Sequence, residues 1–360
     1  MNPFRRRLPQ ALLALQLWSW TTPLAAQTTG SHPLRIEPGL VVVSATNDVV
    51  QKKDYESIVT IQSVDAAGTQ MVMEWAIPDR QAPDGVRRQS AKAVERTQDT
   101  EHARRLVIWH LPGDPETFPG ATGPTPSVDV FNEIRTKGEA SIVVGSVSVN
   151  DGPSFLAGRK YFRGVVKKLG NEPIRVLVDG IPTMLNTVHV GGTLTVGGDT
   201  GDVAFWWLDD PAARFALKFT FQGSVVQAVR IDRPGKQSTE QALAGKSCRS
   251  ELPGIYFLTD SAQLSPASQP AIQRVAATLK SHPDWAITIE GHTDNTGSDP
   301  HNLDLSKRRA ESLKAELVGK YAIPSTRLST AGYGRNRPVE TNDTLEGRAH
   351  NRRVELLRRC

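Results

Sequence analysis

The stretch ITIEGHTDNTGSDPHNLDLSKRRA, residues 287–310, predicts a strand, a polar loop and a helix in succession. Residues 287–289 are a β-branched run, and the loop at 293–300 consists of turn-forming residues. The helix begins near Asn302 and carries Arg309 in its third turn. A strand end, a loop and a helix N-terminus together form a corner that favours anions, because free backbone N–H groups and the helix dipole point into it.

Two side chains of opposite charge flank this corner. Asp294 in the loop supplies a carboxylate, and Arg309, fifteen residues later, supplies a guanidinium. This pair of fixed charges matches a zwitterionic ligand that carries an ammonium and a carboxylate. Taken alone, the pattern is better explained by an Asp that closes an Asx turn and an Arg on a solvated helix face. Further motifs decide between the two interpretations.

Four motifs follow one another between residues 293 and 355. They are T-D-x-x-G at 293–297, N-x-x-L-S-x-x-R-A at 302–310, G-Y-G at 332–334 and G-R-A-x-N-R-R-V-E at 347–355. In these motifs the chain resembles the OmpA-like peptidoglycan-binding domain, and their order and spacing match that family over residues 248–360. The resemblance favours a ligand site over the turn interpretation.

Five residues are candidates for the binding site. In the family, an Asp and an Arg hold the free amino-acid end of diaminopimelate in the peptidoglycan stem peptide, which assigns the ammonium to Asp294 and the carboxylate to Arg309. Thr293 and Asn302 would orient Asp294 or touch the ligand, although turn and helix-cap chemistry explains them equally well. Arg352 would reach the same pocket, or would instead hold the loop 335–350 by hydrogen bonds.

The C-terminal module, residues 248–360, is predicted to be an α+β unit of order β-α-β-α-β-β, with a mixed sheet and helices on one face. The OmpA-like family shares this architecture. One helix is expected to begin at Ser265-Pro266, and the last strand is expected to include Arg352 and Arg353 with side chains on opposite faces. The expected strands are 254–258, 285–290, 327–331 and 352–357.

Residues 1–26 are predicted to be a signal peptide. Three Arg at 5–7 precede an apolar run at 11–20, and Ala25 and Ala26 offer a cleavage site. The run is too short to span a bilayer, so the mature protein is expected in the periplasm, bound to peptidoglycan, with an outer-membrane association left open. Removal of this segment takes three Arg and no acid from a net charge of +5. The remaining +2 makes nucleic acid a poor partner.

Residues 30–235 are predicted to form a predominantly β domain, whose function the sequence does not indicate. One helix is expected near 127–135, an extended loop at 79–105, and a linker at 236–247 between two units that need not share a core. An outer-membrane barrel is the alternative, but short strands, 6% aromatic residues and charges within the strands favour a soluble domain. Candidate strands lie at 40–44, 57–62, 70–76, 106–110, 140–149, 161–168, 174–178, 187–190, 203–208, 215–221 and 225–231.

No motif in the chain points to catalysis, to a metal or to a cofactor. The triplet Asp199-Thr200-Gly201 lies in a glycine-rich turn, and the His residues lack metal-ligand spacing. The leading hypothesis is a non-catalytic envelope protein that binds peptidoglycan and anchors its β domain to the cell wall. The alternatives are an envelope enzyme whose β domain is catalytic, and an outer-membrane barrel protein. An outer-membrane or other envelope protein is a candidate partner.

The two cysteines are Cys248, just before the module, and Cys360, its last residue. Export would place both in an oxidising compartment. The family resemblance implies that the last strand lies antiparallel beside the first, which would bring the two sulfurs close enough for a disulfide. Two free thiols, or an intermolecular bond through Cys360, are the alternatives.

Overall fold

The computed structural model describes residues 34–48, 53–79, 81–82, 86–108, 116–147, 159–235 and 239–359. The predicted signal peptide and Cys360 lie outside these ranges. All described residues belong to one compact unit that begins at Leu34. Within the ranges given, no helix combines the length and the apolar character that a membrane crossing needs.

The N-terminal part is predominantly β, as predicted. Its strands belong to one sheet, whose main path has the order β6-β4-β3-β2-β1-β15-β14-β13-β12-β9-β8-β5-β7, while β10 joins β15 and β11. The two helices are α1, Thr97–His102, and α2, Val128–Lys137. The strands are β1 Val41–Asp48, β2 Lys53–Val64, β3 Gly68–Pro78, β4 Val86–Arg96, β5 Arg105–Val107, β6 Glu116–Thr117, β7 Ala121–Thr122, β8 Glu139–Val147, β9 Arg159–Asn171, β10 Ile174–Val178, β11 Ile181–Leu185, β12 Thr187–Val196, β13 Asp199–Leu208, β14 Ala216–Phe221 and β15 Ser224–Asp232.

Alternating side chains give this sheet apolar packing on both faces. In β13, Phe205 and Trp207 belong to one buried cluster, which also contains Phe131 of α2. Trp206, between them in sequence, belongs to a second buried cluster with Leu217. Successive side chains of a strand point to opposite faces, so each face of the sheet is covered by its own core.

The predicted loop at 79–105 is wrong, because most of this segment is regular structure. Strand β4 pairs with β3 along its whole length, and α1 follows it directly. The buried side chains of β4 include Val86, Ala91 and Ala93, and Arg87 and Lys92 are exposed. Because its apolar residues are mostly small, β4 has only a weak hydrophobic alternation in the sequence. Pairing with β3 stabilises the strand that this weak pattern does not predict. The expectation of short strands also fails, since β2 has 12 residues and β9 has 13.

The C-terminal module has the predicted mixed sheet. Its strand order is β16-β19-β17-β18, with β17 and β18 parallel and the other pairs antiparallel. The 3₁₀ turn Pro266–Ser268, capped by Ser265 as predicted, leads into α4. The elements are α3 Thr239–Ala244, β16 Arg249–Glu251, α4 Gln269–Ser281, β17 Ile287–Gly291, α5 Asp299–Gly319, β18 Leu328–Gly332, α6 Leu345–Asn351 and β19 Val354–Arg358.

Three details of the module differ from the prediction. Residues 254–258 form no strand beyond the bridge between Phe257 and Leu264, because Pro253 and the left-handed Gly254 turn the chain. The first strand of the module is therefore β16, not the predicted strand at 254–258. Helix α6 was not predicted, since it has only seven residues and depends on the cap at Thr344 and on packing. Arg352 consequently caps α6 and does not lie on the last strand.

The segment predicted as a linker contains α3, and its Leu243 is fully buried in the core of the module. The two parts of the chain also share a core. Val43 and Ile58 of the β domain pack in one cluster with Tyr256 and Ala349 of the module. The module therefore docks against strands β1 and β2.

Candidate binding site

Two glycines bring helix α5 onto the strands of the module. Gly291 and Gly332 face each other at the ends of β17 and β18. A Cβ at Gly291 would lie 2.1 Å from the carbonyl oxygen of Ser306, and one at Gly332 would lie 2.5 Å from the nitrogen of Lys307. Only glycine permits such a close approach of the helix backbone. Arg309 lies three residues after Ser306, about one turn farther along the same helix.

The loop after β17 holds Asp294 in a closed turn. One carboxylate oxygen accepts a hydrogen bond of 2.8 Å from the backbone N–H of Thr296. The Asn302 side chain donates to the carbonyl of Thr296 at 2.9 Å, and the backbone N–H of Thr293 donates to the carbonyl of Gly334 at 3.0 Å. Thr293, Asp294 and Asn302 are all buried. The side chains of Thr293 and Asn302 thus bond within the loop, and a contact of either with the ligand stays a prediction.

The Arg309 guanidinium is buried against the module. Its Nε donates to the carbonyl of Ser261 at 2.9 Å, and it lies over the ring of Phe257 at 5.1 Å. Burial and the neighbouring Arg352 lower the pKa of Arg309 to about 10, although Glu56 and Asp294 act in the opposite direction. Arg309 therefore remains a cation at neutral pH.

The Arg352 guanidinium connects two carboxylates. It donates to the second oxygen of Asp294 and to both oxygens of Glu56, which belongs to strand β2. Burial alone would lower the pKa of Arg352, but Glu56 and Asp294 outweigh burial and raise it. The side chains of Arg352, Glu56 and Asp294 are 20%, 15% and 8% exposed, so little of this charge cluster reaches water.

Residues 256–352 match the OmpA family. The chain carries an OmpA family domain. Outer membrane porin F of Pseudomonas aeruginosa is 42% identical over 101 residues, which are 28% of this chain and 29% of the porin. Peptidoglycan-binding protein ArfA of Mycobacterium tuberculosis is 44% identical over 103 residues, which are 29% of this chain and 31% of ArfA. The chain thus spans less than a third of the length of either relative.

A solved structure, the peptidoglycan-associated lipoprotein of Burkholderia pseudomallei, aligns with 29% of this chain and 88% of its own chain. The identity is 31% and the TM-score is 0.28. The names of these three relatives refer to the outer membrane or to peptidoglycan. The similarities to porin F and to ArfA extend over about the length of the OmpA family match.

The five predicted site residues lie together in the OmpA domain. Thr293 and Asn302 hold the loop of Asp294, Arg352 bonds to Asp294, and Arg309 and Arg352 line one cavity. Sequence reasoning missed Glu56, which lines the same cavity from the β domain. It is separated from Arg352 by 296 positions, and no motif surrounds it, so the sequence carries no signal for this contact.

A second cluster of buried side chains in the C-terminal module has the composition of a metal site. Possible ligand atoms of Glu290, His292 and Glu355 lie within 4.8 Å of one another. However, Arg249 donates to both carboxylates, and Arg353 donates to Glu355 at 2.6 Å. A metal ion would have to displace these guanidinium groups, so the arrangement fits an internal ion network better than a cation site.

Proposed function

We propose that this protein is a non-catalytic component of the cell envelope that binds peptidoglycan through the diaminopimelate of the stem peptide. By this binding it would anchor its β domain to the cell wall. The observation that carries the proposal is the OmpA family match together with Asp294, Arg309 and Arg352 around one site. Relatives named for peptidoglycan binding or association support the ligand class.

The charges of the site suit the free end of diaminopimelate. The Asp294 carboxylate would receive the ammonium group, and the guanidinium of Arg309 would receive the carboxylate. Arg352, between Asp294 and the cavity, would assist with the carboxylate. Because all three side chains are largely removed from water, each ionic contact with the ligand would be stronger than at an open surface.

The same proposal places the protein in the periplasm, bound to peptidoglycan and close to the outer membrane. The predicted export signal at residues 1–26 supports the compartment. The similarity to an outer membrane porin and to a peptidoglycan-associated lipoprotein supports the location. An envelope protein that contacts the β domain is the expected partner beyond peptidoglycan.

Sedimentation with purified sacculi tests the proposal. Asp294→Ala and Arg309→Ala should each weaken binding by about 2–5 kcal/mol, because each leaves a desolvated charge without its partner. The matched control is Arg308→Ala, which removes an exposed cation next to Arg309 that pairs with Asp304 on the helix surface. Unchanged binding in both site variants, or equal loss in the control, would contradict the site assignment.

The ligand specificity is tested by competition with soluble stem peptides. A peptide that contains diaminopimelate should displace the protein from sacculi. A peptide with lysine at the same place should not, because lysine retains the terminal ammonium but lacks the carboxylate that Arg309 would bind. Equal competition by both peptides would mean that the site does not recognise the diaminopimelate carboxylate.

A further inference from the structure

The β domain covers the site that peptidoglycan would use. Glu56 of β2 contacts the module twice, through its carboxylate on Arg352 and through its backbone N–H, which donates to the hydroxyl of Thr259 at 2.8 Å. Arg309 is only 5% exposed. Glu56 and Ile58 of β2 line the same cavity as Arg309 and Arg352, so the β domain forms part of its wall.

We propose that the β domain holds the peptidoglycan site closed, with the Glu56 carboxylate in the place of the ligand carboxylate. Stem peptide then binds to a form in which β2 has moved away from the module. This inference rests on the proposed function, because it describes the regulation of the same site.

The hydrogen-bond donors of Arg352 support an exchange of carboxylates. Its Nε and one of its Nη atoms donate to Glu56, and the other Nη atom donates to Asp294. A ligand carboxylate can therefore take the two-bond position on this guanidinium only where it displaces Glu56. The ammonium group of the ligand then takes over the contact of Asp294 with Arg352.

The contact of Glu56 with Arg352 has the form of ligand recognition. Both oxygens of Glu56 accept from the same guanidinium, and this two-bond geometry is how Arg recognises a free carboxylate. Another pair across the interface, Arg175 and Glu340, has the same two-bond geometry. Glu56 differs from Glu340 because its guanidinium partner lines the cavity and also bonds to Asp294.

Further contacts keep the two parts together. Arg88 donates to the hydroxyl of Ser261 at 2.9 Å, and Arg175 pairs with Glu340 at 2.7 Å. The shared apolar cluster of the two parts adds to these contacts. Separation of the β domain from the module would expose this apolar cluster to water, so the closed form is favoured in the absence of ligand. By linkage, ligand binding and domain separation must promote each other.

Calorimetric titration of the full chain with a soluble diaminopimelate stem peptide tests the proposal. Glu56→Gln keeps the shape of the side chain and removes its charge, so the variant should bind with a roughly tenfold lower Kd, within the usual range for coupling between sites. The matched control is Glu340→Gln, which breaks the pair with Arg175 at the same interface but outside the cavity. Because this pair is partly exposed, the control should bind like the wild type.

The possible results separate the two proposals. If the wild type binds in an Asp294-dependent way and Glu56→Gln binds no tighter, the closed-site proposal is overturned while the proposed function stands. If Glu340→Gln gains as much affinity as Glu56→Gln, the role of the Glu56 carboxylate is overturned. If neither the wild type nor Glu56→Gln binds the peptide, the proposed function itself is overturned.

Hydrogen exchange of the unaltered protein gives a test that does not depend on the folding of a variant. The amide of Glu56 is bonded to Thr259 across the interface. Saturating stem peptide should accelerate exchange at this amide, because the contact is broken in the open form. Unchanged or slower exchange with the peptide bound would overturn the proposal.

Discussion

His292, which precedes Thr293 of the site, is a buried histidine. Its side chain is 1% exposed, and neither ring nitrogen has a hydrogen-bond partner within the described residues. The ring stacks on Tyr333 at 5.4 Å. Burial, and after it the charge of Arg353, lowers the pKa of His292 to about 4, although Glu355 acts in the opposite direction. The imidazole is therefore neutral in the folded protein at any pH where the envelope functions.

This shift predicts a pH-dependent stability. The unfolded His292 has a pKa of 6.5, above the folded value of about 4, so the unfolded chain binds more protons in this interval. The free energy of unfolding should therefore fall as pH decreases from 6.5 to 4, by at most about 3 kcal/mol, since one pKa unit corresponds to about 1.4 kcal/mol. Urea unfolding across this range measures the effect.

The control for this prediction is His292→Phe, which keeps an aromatic ring on Tyr333 and removes the titration. The variant should lose most of the pH dependence between 6.5 and about 4.5. Glu355, whose pKa is lowered by Arg353 and Arg249 against the effect of burial, adds its own loss of stability only at pH values below its ordinary 4.5. The same slope in wild type and variant would exclude His292 as its source.

At the scale of elements, the docking of α5 on β17 and β18 depends on Gly332. A methyl group there meets the backbone of α5, which cannot rotate away. Gly332→Ala should therefore destabilise the protein by about 1–3 kcal/mol, the usual cost of overpacking. It should also weaken sacculus binding, because α5 carries Arg309. Denaturant unfolding and sedimentation with sacculi measure the two effects.

Gly319→Ala is the matched control, because it lies at the end of the same helix and a Cβ there meets nothing within 4 Å. Alanine favours a helix over glycine by up to about 1 kcal/mol, so this variant should be as stable as the wild type or more stable. If both variants lost the same stability, the close packing at Gly332 would not be the cause.

Elements with a strong local pattern could be predicted from the sequence. The strand, loop and helix around Asp294 and Arg309 were predicted correctly, because a β-branched run, turn residues and an apolar helix stripe follow one another there. Strand β4 and helix α6 were missed. Their buried residues are small or few, so β4 depends on its pairing with β3, and α6 depends on its cap and its packing.

At the scale of the whole molecule, the ends of the module meet. Cys248 is buried at the start of β16, and its carbonyl accepts from the N–H of Arg358 at 2.7 Å, two residues before Cys360. Because Cys360 lies outside the described residues, its pairing with Cys248 stays a prediction. Such a bridge would close nearly the whole module. Reduction should then lower the free energy of unfolding by up to about 4.7 kcal/mol in the chain-entropy model.

Alkylation with and without reductant, followed by mass measurement, tests the bridge in protein isolated from the periplasm. Only the reduced sample should gain two alkyl groups. The double variant Cys248→Ala/Cys360→Ala should have the stability of the reduced protein and should not respond to reductant. Two alkylated thiols without reductant would contradict the bridge, and a disulfide-linked dimer would indicate an intermolecular bond.

The arrangement of the whole molecule could not be read from local patterns. The sequence predicted which residues would surround the site, because the motifs of one domain lie within about a hundred positions of one another. It did not predict that Glu56 would enter the site from the β domain, or that Ile58 and Tyr256 would share a core. Such contacts depend on how two folded surfaces fit, and neither surface is encoded by a contiguous pattern.

Helix α3 is part of the C-terminal module, so a fragment that folds by itself must include it. Leu243 fills the core of the module, and its carbonyl accepts a hydrogen bond of 2.9 Å from the side chain of Arg358. A fragment cut at residue 248 would leave a hole in that core and would remove one hydrogen-bond acceptor of Arg358 on the last strand. An expressed fragment of the C-terminal module should therefore begin before Thr239, although the match to the OmpA family begins only at residue 256.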